Sequence, residues 1–496
     1  MVQKAMTVAL LLAVATSAAC GSDDAAGSGG AAGTATGGQA GVSGSGGTGG
    51  GGAGAGGSAG TGGAAGSGGS AGSPSTCGTV TTFADGKTPS KELHVDAAAS
   101  SGGDGSAQSP FQTLSAALGQ TSPGTSVVIH PGTYAGGTFI SDLAGTESAP
   151  IWIGGVAGQP LPVIDGGTEG LHLSKVRYLV VHDLEVRNAT GNGINCDDGG
   201  ETSNPDATRF VVFDGLDIHD IGTGGNEDCL KLSGLDDYFV LNGHFARCGG
   251  SGSGSGIDHV GCHDGVIFHS SFEQNSGNAV QAKGGSENIL LWRNHVKDGG
   301  ERAFNMGGST GPQFFRPPLS TTGDNYEAKN IRAEANVIEG SVAAIAFVGC
   351  VDCAAINNTI VDPEHWVLRI LQETTSSGAA TFLEAQNGVF ANNLVYFDSS
   401  ALATFANVGP NTQGGSFTFM NNLWYAHDAP GSSAPTGLPA TESGAVVGQD
   451  PGLTADFHIS AASPAAGAGT PQSGAHGDFD GSCWRSPPAI GALEAP

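Results

Sequence analysis

One phrase recurs along the chain and leaves few folds open to it. A β-rich run is followed by a small or amide residue, a second β-rich pair and a glycine-rich turn. It reads YLVVHDLEV from Tyr178, FVVFDGLDI from Phe210, YFVLNGHFA from Tyr238 and GVIFHSSFE from Gly265. It returns as NILLWRNHV from Asn288, NIRAEANVI from Asn330, CAAINNTIV from Cys353, GVFANNLVY from Gly388 and SFTFMNNLW from Ser416. Asp183, Gly215, Gly243, Ser270, Asn294, Asn336, Asn358, Asn393 and Asn422 serve as anchors, with intervals of 32, 28, 27, 24, 42, 22, 35 and 29. A short minimum with elastic insertions marks a stack of rungs in which strands are fixed and loops vary. Asn-Asn pairs at the turn suit amide hydrogen bonds passed up such a stack. Nine rungs at about 4.8 Å each make a rod roughly 40 Å long.

Other all-β architectures fit less well. Propeller blades need some 40 residues each, and two-residue hairpin turns of the sandwich kind are scarce. Glycine contributes 86 of 496 residues and charged residues only 13%, too few strong helix formers for a mainly helical chain. The expected class is an all-β, right-handed, single-stranded parallel β-helix. Acidic residues outnumber basic ones 46 to 18, for a net charge of −28, which argues against a nucleic-acid-binding face.

The chain divides into three parts. Residues 1–20 read as an export signal: Lys4, an apolar run from Thr7 to Thr16 too short to span a bilayer, then Ser17, Ala18 and Ala19 before Cys20. That order resembles a bacterial lipoprotein signal, which implies lipidation of Cys20, although Ser17 stands where leucine is usual and ordinary cleavage is the alternative. Residues 21–76 are glycine-rich with Asp23 and Asp24 as the only charges, and are expected to form a disordered tether. Residues 77–496 carry the solenoid: opening rungs and cap to 170, central rungs 171–430 and closing rungs 431–496. An exported monomer, touching membrane only through an N-terminal lipid, is the expected state. Eight further cysteines (77, 196, 229, 248, 262, 350, 353 and 483) allow up to four disulfides. A metal held by His259, Cys262 and His263, flanked by Cys248 and His269, is the less common alternative.

The second strand of each rung locates the candidate site. Period-2 alternation places Ile194, Leu230, Ile257, Val280, Phe304, Ile345 and Leu368 inside. The next residues, Asn195, Lys231, Asp258, Gln281, Asn305, Ala346 and Arg369, then form one outward column. A second column holds Asp197, Ser233, Val260, Lys283, Gly307, Val348 and Leu371. Seven of the 18 basic residues lie between Lys283 and Arg332 (Lys283, Arg293, Lys297, Arg302, Arg316, Lys329 and Arg332), a local patch suited to a polyuronate. For such a polymer the economical reaction is β-elimination: cations neutralise the carboxylate, a base removes the α-proton, and the glycosidic oxygen leaves. A lysine serves as base when burial and positive neighbours lower its pKa. Lys283 is the first choice and Lys231 the second. Arg302 and Arg316 would neutralise the substrate carboxylate, and Gln281, Asn305, Arg369 and Asn195 would position substrate. Asp197, Asp198, Asp228 and Asp258 lie toward one end of the columns and could hold Ca²⁺. The same acids could instead act in pairs in glycoside hydrolysis. Gly307–Gly311 matches G-x-S-x-G but lacks the strand–elbow–helix context of a serine hydrolase.

GGDGSAQSPFQTLSAALGQTSPGTSVVIHPGTY, with Phe111–Leu118 as a capping helix, and the closing SPAAGAGTPQSGAHGDFDGSCWRSPPAIGALE resemble bacterial right-handed parallel β-helix proteins of the polysaccharide lyase kind. VQAKGGSENILLWRNHV is similar to the lysine-bearing rung of the alginate lyase and chondroitinase B family, which implies Lys283 as base. That family's arginine would fall near Asn305–Gly307 and its calcium-holding glutamates near Ser276–Asn278, where neither residue type stands. GID at Asp258 and CLKLSG at Lys231 resemble the lysine-base pectate lyases without their full acidic cluster. The fold hosts lyases, hydrolases and inert adhesins, so a non-catalytic glycan-binding surface module is the rival reading.

Overall fold

A computed structural model describes residues 79–402 and 404–496. The signal at 1–20 with Cys20, the tether at 21–76, and Cys77 lie outside the described residues. The rest winds as a right-handed parallel β-helix of three sheets, fourteen-, ten- and twelve-stranded. All pairing within these sheets is parallel, and among the described residues the one antiparallel pair of strands is a small ribbon at Ser376–Ser377 and Ala380–Thr381. More rungs exist than the phrase alone reveals. Lys91–Val95, Thr125–Ile129 and Ile151–Gly155 stack beneath Arg177–His182 in the fourteen-stranded sheet. The cap is shorter than expected, a single turn at Leu114–Leu118, because Thr113 is still extended and Phe111 bridges to Val95.

Amides hold the corner between the fourteen- and twelve-stranded sheets. In Asn357–Asn358, Asn392–Asn393 and Asn421–Asn422 the first residue adopts left-handed backbone, which asparagine tolerates. The second turns inward and joins a ladder. Asn294, Asn336, Asn358 and Asn393 each donate from Nδ2 to the Oδ1 of the next, at 3.1, 2.9, 2.9 and 3.0 Å, ending on Asn422. Glu442 closes the ladder by accepting from Asn422 and from Trp424 Nε1. Below Asn294 the chain of acceptors continues through Ser270 to the backbone of Gly243, so four of the sequence anchors give way to five amides in one line.

Inside the tube the core is a continuous apolar stack that includes Phe245, Phe272, Phe304 and Phe347, all fully buried. The outer face of the fourteen-stranded sheet is covered too. Val180, Val212, Phe239, Val266 and Leu290 lie under Val80, Phe83 and Trp484. The outer face of the ten-stranded sheet is polar instead.

Cysteines divide differently from the even-count expectation. Cys229 pairs with Cys248 and Cys350 with Cys353, and Cys483 is also disulfide-bonded. Cys196 and Cys262 are free, buried thiols. They sit on inward positions with no cysteine opposite, since the rung partner of Cys196 is Leu232.

The His–Cys cluster does not assemble as a metal centre. Cys248 is in its disulfide, His263 faces Asp236, His269 faces Asn242, and His259 points into the core. His259 Nδ1 meets the Gln281 carbonyl at 2.7 Å, and burial pushes its pKa down to about 4. The unfolded chain therefore takes up a proton near pH 6.5 that the folded chain refuses until about pH 4. Stability should fall as pH drops through that window, by up to about 3 kcal/mol. Urea unfolding at pH 7 and pH 4.5 checks this: His259→Gln should lose less between the two pH values than the native chain, and equal losses would refute it.

Candidate active site

The ten-stranded sheet runs from Thr138–Ser141 to Ala406–Val408. Its register reproduces the two columns residue by residue. Ile194, Leu230, Ile257, Val280, Phe304, Ile345 and Leu368 pair in succession inside, and Asn195, Lys231, Asp258, Gln281, Asn305, Ala346 and Arg369 pair in succession outside. The column is longer than that reading: Phe139 and His172 precede Asn195, and Asn407 follows Arg369. The same alternation in GTFIS and GLHLS carried that signal, one rung before the repeat phrase begins.

Two lysines share one carboxylate at the centre. Asp258, 1% exposed, is hydrogen-bonded to Lys231 Nζ and lies 3.6 Å from Lys283 Nζ. Asp228 is also buried, 3.3 Å from Lys231, and accepts the Ser255 N–H at 2.7 Å. Burial alone would raise both acids. At Asp258 the charges of Lys231 and Lys283 outweigh it and hold the carboxyl below its usual value. At Asp228 burial prevails, reinforced by the ionised Asp258, and the carboxyl is raised. The neighbouring Cys229–Cys248 disulfide ties the start of the Lys231 strand to the end of His244–Cys248.

Lys283 is held more loosely. Its Nζ lies 3.3 Å from Gln281 Oε1, and its stem runs beneath Gly308, whose backbone crosses the column from the insertion at 308–327. One rung on, Arg302 donates to Asn305 Oδ1 at 3.2 Å and to Glu373 at 2.8 Å. Asn305 is 2% exposed, and its Nδ2 has no hydrogen-bond partner. Arg369 stacks over Trp366 at 4.3 Å and donates to Asn407 at 3.1 Å. Burial and the charge of Arg302 pull its guanidinium below the ordinary value, so the two cations stand close.

Arg316 is not part of this surface. It is 4% exposed, paired through both terminal nitrogens with Asp236, and bonded to the Gly261 carbonyl. It pins the 308–327 insertion onto the rod and has no free donor face for a substrate carboxylate. The basic patch likewise disperses through alternation. Lys329 pairs with Glu287, Arg332 with Glu334, Arg293 reaches the Phe479 carbonyl, and Lys297 lies on the twelve-stranded sheet, leaving Lys283 and Arg302 on the face.

Nor do the four acids converge on a cation site. Asp197 is taken by His172 at 2.6 Å and Ser174 at 2.7 Å. Asp198 is buried and accepts the Gly200 N–H, while Asp228 and Asp258 already face lysine ammoniums. Among the described residues no group of three or more His, Cys, Asp or Glu is placed to hold a metal. The set does not fit Ca²⁺, which wants six to eight oxygens around one point.

No family model matches the chain, and no curated protein does. Among solved structures it is similar to pectate lyase Pel9A, at 17% identity and a TM-score of 0.46 over 83% of this chain and 98% of that one. It is also similar to an alginate lyase from Paenibacillus sp. str. FPU-7, at 16% identity and 0.42 over 66% and 99%, and to a rhamnogalacturonan lyase, at 13% and 0.39 over 67% and 87%. Likeness at this level does not transfer a reaction or a substrate. Among the described residues no helix is long and apolar enough to cross a membrane.

Proposed function

We propose that the chain is an exported carbohydrate-active enzyme that cleaves an acidic, uronate-containing glycan by β-elimination along the outer face of the ten-stranded sheet. The observation that carries this reading is the pair Lys231 and Lys283 sharing Asp258 in mid-column, one rung from Arg302 and Asn305. Lys283 takes the α-proton. Lys231 is the more firmly held of the two, hydrogen-bonded to Asp258, while Lys283 stands 3.6 Å from the same carboxylate. Arg302 and Arg369 face the uronate carboxylate, and the buried Asn305 orients Arg302 by accepting from its guanidinium at 3.2 Å. The C–H electrons form the new double bond, the glycosidic oxygen leaves with the other pair, and solvent protonates it. Two disulfides among the described residues suit an oxidising compartment.

A second reading is supported by the opposed shifts of Asp228 and Asp258, an arrangement that separates an acid from a base in glycoside hydrolysis. Both carboxylates are enclosed, 0% and 1% exposed, which weighs against direct contact with a sugar. The deciding experiment incubates the full chain with polygalacturonate, alginate and glucuronate polymers, with and without chelator. Ultraviolet absorbance from unsaturated uronate ends, insensitive to chelator, is the expected result. New reducing ends without absorbance would favour hydrolysis. Neither signal, with retained glycan binding, would leave a non-catalytic surface module.

Gly308 offers a separate check. A Cβ there would sit 2.6 Å from Gln281 Nε2 and 3.4 Å from Lys283 Cδ, on backbone with φ +150°. The amide is the end of a flexible side chain and can yield, but φ +150° is backbone that an L side chain rarely adopts, so Gly308→Ala should strain the crossing segment locally and push Gln281 off Lys283. Turnover should drop at least about tenfold with an unchanged circular dichroism spectrum, since a displacement near 1 Å at a reacting group is costly.

A further inference from the structure

The outward column ends in an aromatic ring that no other described residue covers over most of its surface. Phe139 is 61% exposed, against complete burial for most large side chains of the rod, and it is the only exposed aromatic among the described residues. Its ring meets the edge of His172 at 4.8 Å, with the planes at 83°. His172 is fixed from both sides: Nδ1 lies 2.8 Å from Glu169 and Nε2 lies 2.6 Å from Asp197, which also accepts from Asn195 at 3.0 Å. The ring is thus oriented by a neighbour that cannot turn. Phe139 stands on the same column as Lys231 and Gln281, five strands from the strand of Lys283, or about 24 Å at 4.8 Å per rung.

Charge differs between the two ends. Around Phe139 one imidazole faces two carboxylates, so no positive charge remains for an anion. At the far end Arg302 has Glu373 as partner, while Arg369 donates to the neutral Asn407 and stacks on the Trp366 ring. An apolar ring face beside carboxylate and amide groups suits a pyranose, whose C–H face stacks and whose hydroxyls donate.

We propose that Phe139, with Asn195 near it on the column, forms a distal subsite that stacks an uncharged sugar ring of the same glycan chain whose uronate lies at Arg302 and Arg369. The enzyme then prefers a polymer in which uronates are interspersed with neutral sugars. This rests on the glycan reading above.

The test is calorimetric binding of full-length protein to decamers of equal length, long enough to cover the eight strand spacings from Phe139 to Arg369. One is galacturonate only; the others alternate galacturonate with rhamnose or glucuronate with N-acetylglucosamine. At least one alternating chain should bind more tightly than the uniform one. Phe139→Ala should weaken that chain about tenfold and leave the uniform chain unchanged, and Phe139→Trp should restore it. An exposed ring is removed without opening the core, so both variants should fold. Equal losses on all chains, or no loss on any, would overturn the subsite and leave the glycan reading standing. Failure of the native protein to bind any decamer would remove both.

Discussion

Lys283→Ala should lower turnover on a uronate glycan by about 10²–10⁴-fold, the range for removing a positioned general base, while glycan affinity changes little. The side chain is only 6% exposed and touches Gln281 and Asp258, so the main risk of the change is not unfolding but a stranded carboxylate. Lys231 remains to pair Asp258, which limits that cost. Lys231→Ala differs in kind. It would leave Asp228 and Asp258 facing each other with Lys283 as the nearest cation, and should destabilise the fold as well as reduce activity. The contrast separates the two roles: a variant at 283 that melts normally and binds but does not turn over, against one at 231 that melts early. A Lys283→Ala protein with native turnover would end the assignment of this residue as base, whatever the fate of the substrate class.

The solenoid and its columns were legible in sequence because one physical rule generates them. Once Ile194, Leu230 and Ile257 are inside, alternation puts Asn195, Lys231 and Asp258 outside, and parallel pairing then stacks them without further information. The anchors were legible for the same reason, since a buried amide at a tight corner must be passed a hydrogen bond by its neighbour. What alternation does not describe could not be read. Arg316 lies in an insertion outside the repeat, and its partner Asp236 is 80 residues away. The four acids looked like a cluster because their rungs are adjacent, but whether a carboxylate meets a cation or a lysine depends on side-chain reach across rungs. Phe139 and His172 obey the rule yet escaped it, because both precede Tyr178, where the first copy of the recognised phrase begins.

The largest stability effect should come from the amide ladder rather than from the candidate site. Asn336 is fully buried, and its side chain makes four contacts. Nδ2 donates to the Leu291 carbonyl at 2.9 Å and to Asn358 Oδ1 at 2.9 Å, while Oδ1 accepts from the Asn294 backbone at 2.8 Å and from Asn294 Nδ2 at 3.1 Å. Asn336→Leu keeps the branched shape and heavy-atom count and removes every partner. The Asn294 N–H and the Leu291 carbonyl are then buried unpaired, at about 1–3 kcal/mol each, so a total loss of about 3–5 kcal/mol is expected. In a solenoid each rung is stabilised chiefly by its two neighbours, so the opening should spread to the rungs of Asn294 and Asn358 first. Hydrogen exchange would show this as lost protection centred there. Asn330 provides the control. It makes an amide contact of the same kind, to Asn288 at 2.7 Å, but in solvent and with left-handed backbone that glycine accepts. Asn330→Gly should cost less than about 1 kcal/mol. If urea unfolds Asn336→Leu and Asn330→Gly at the same midpoint, the buried ladder contributes no more than its exposed counterpart, and the stability of the rod must be sought in its apolar stack alone.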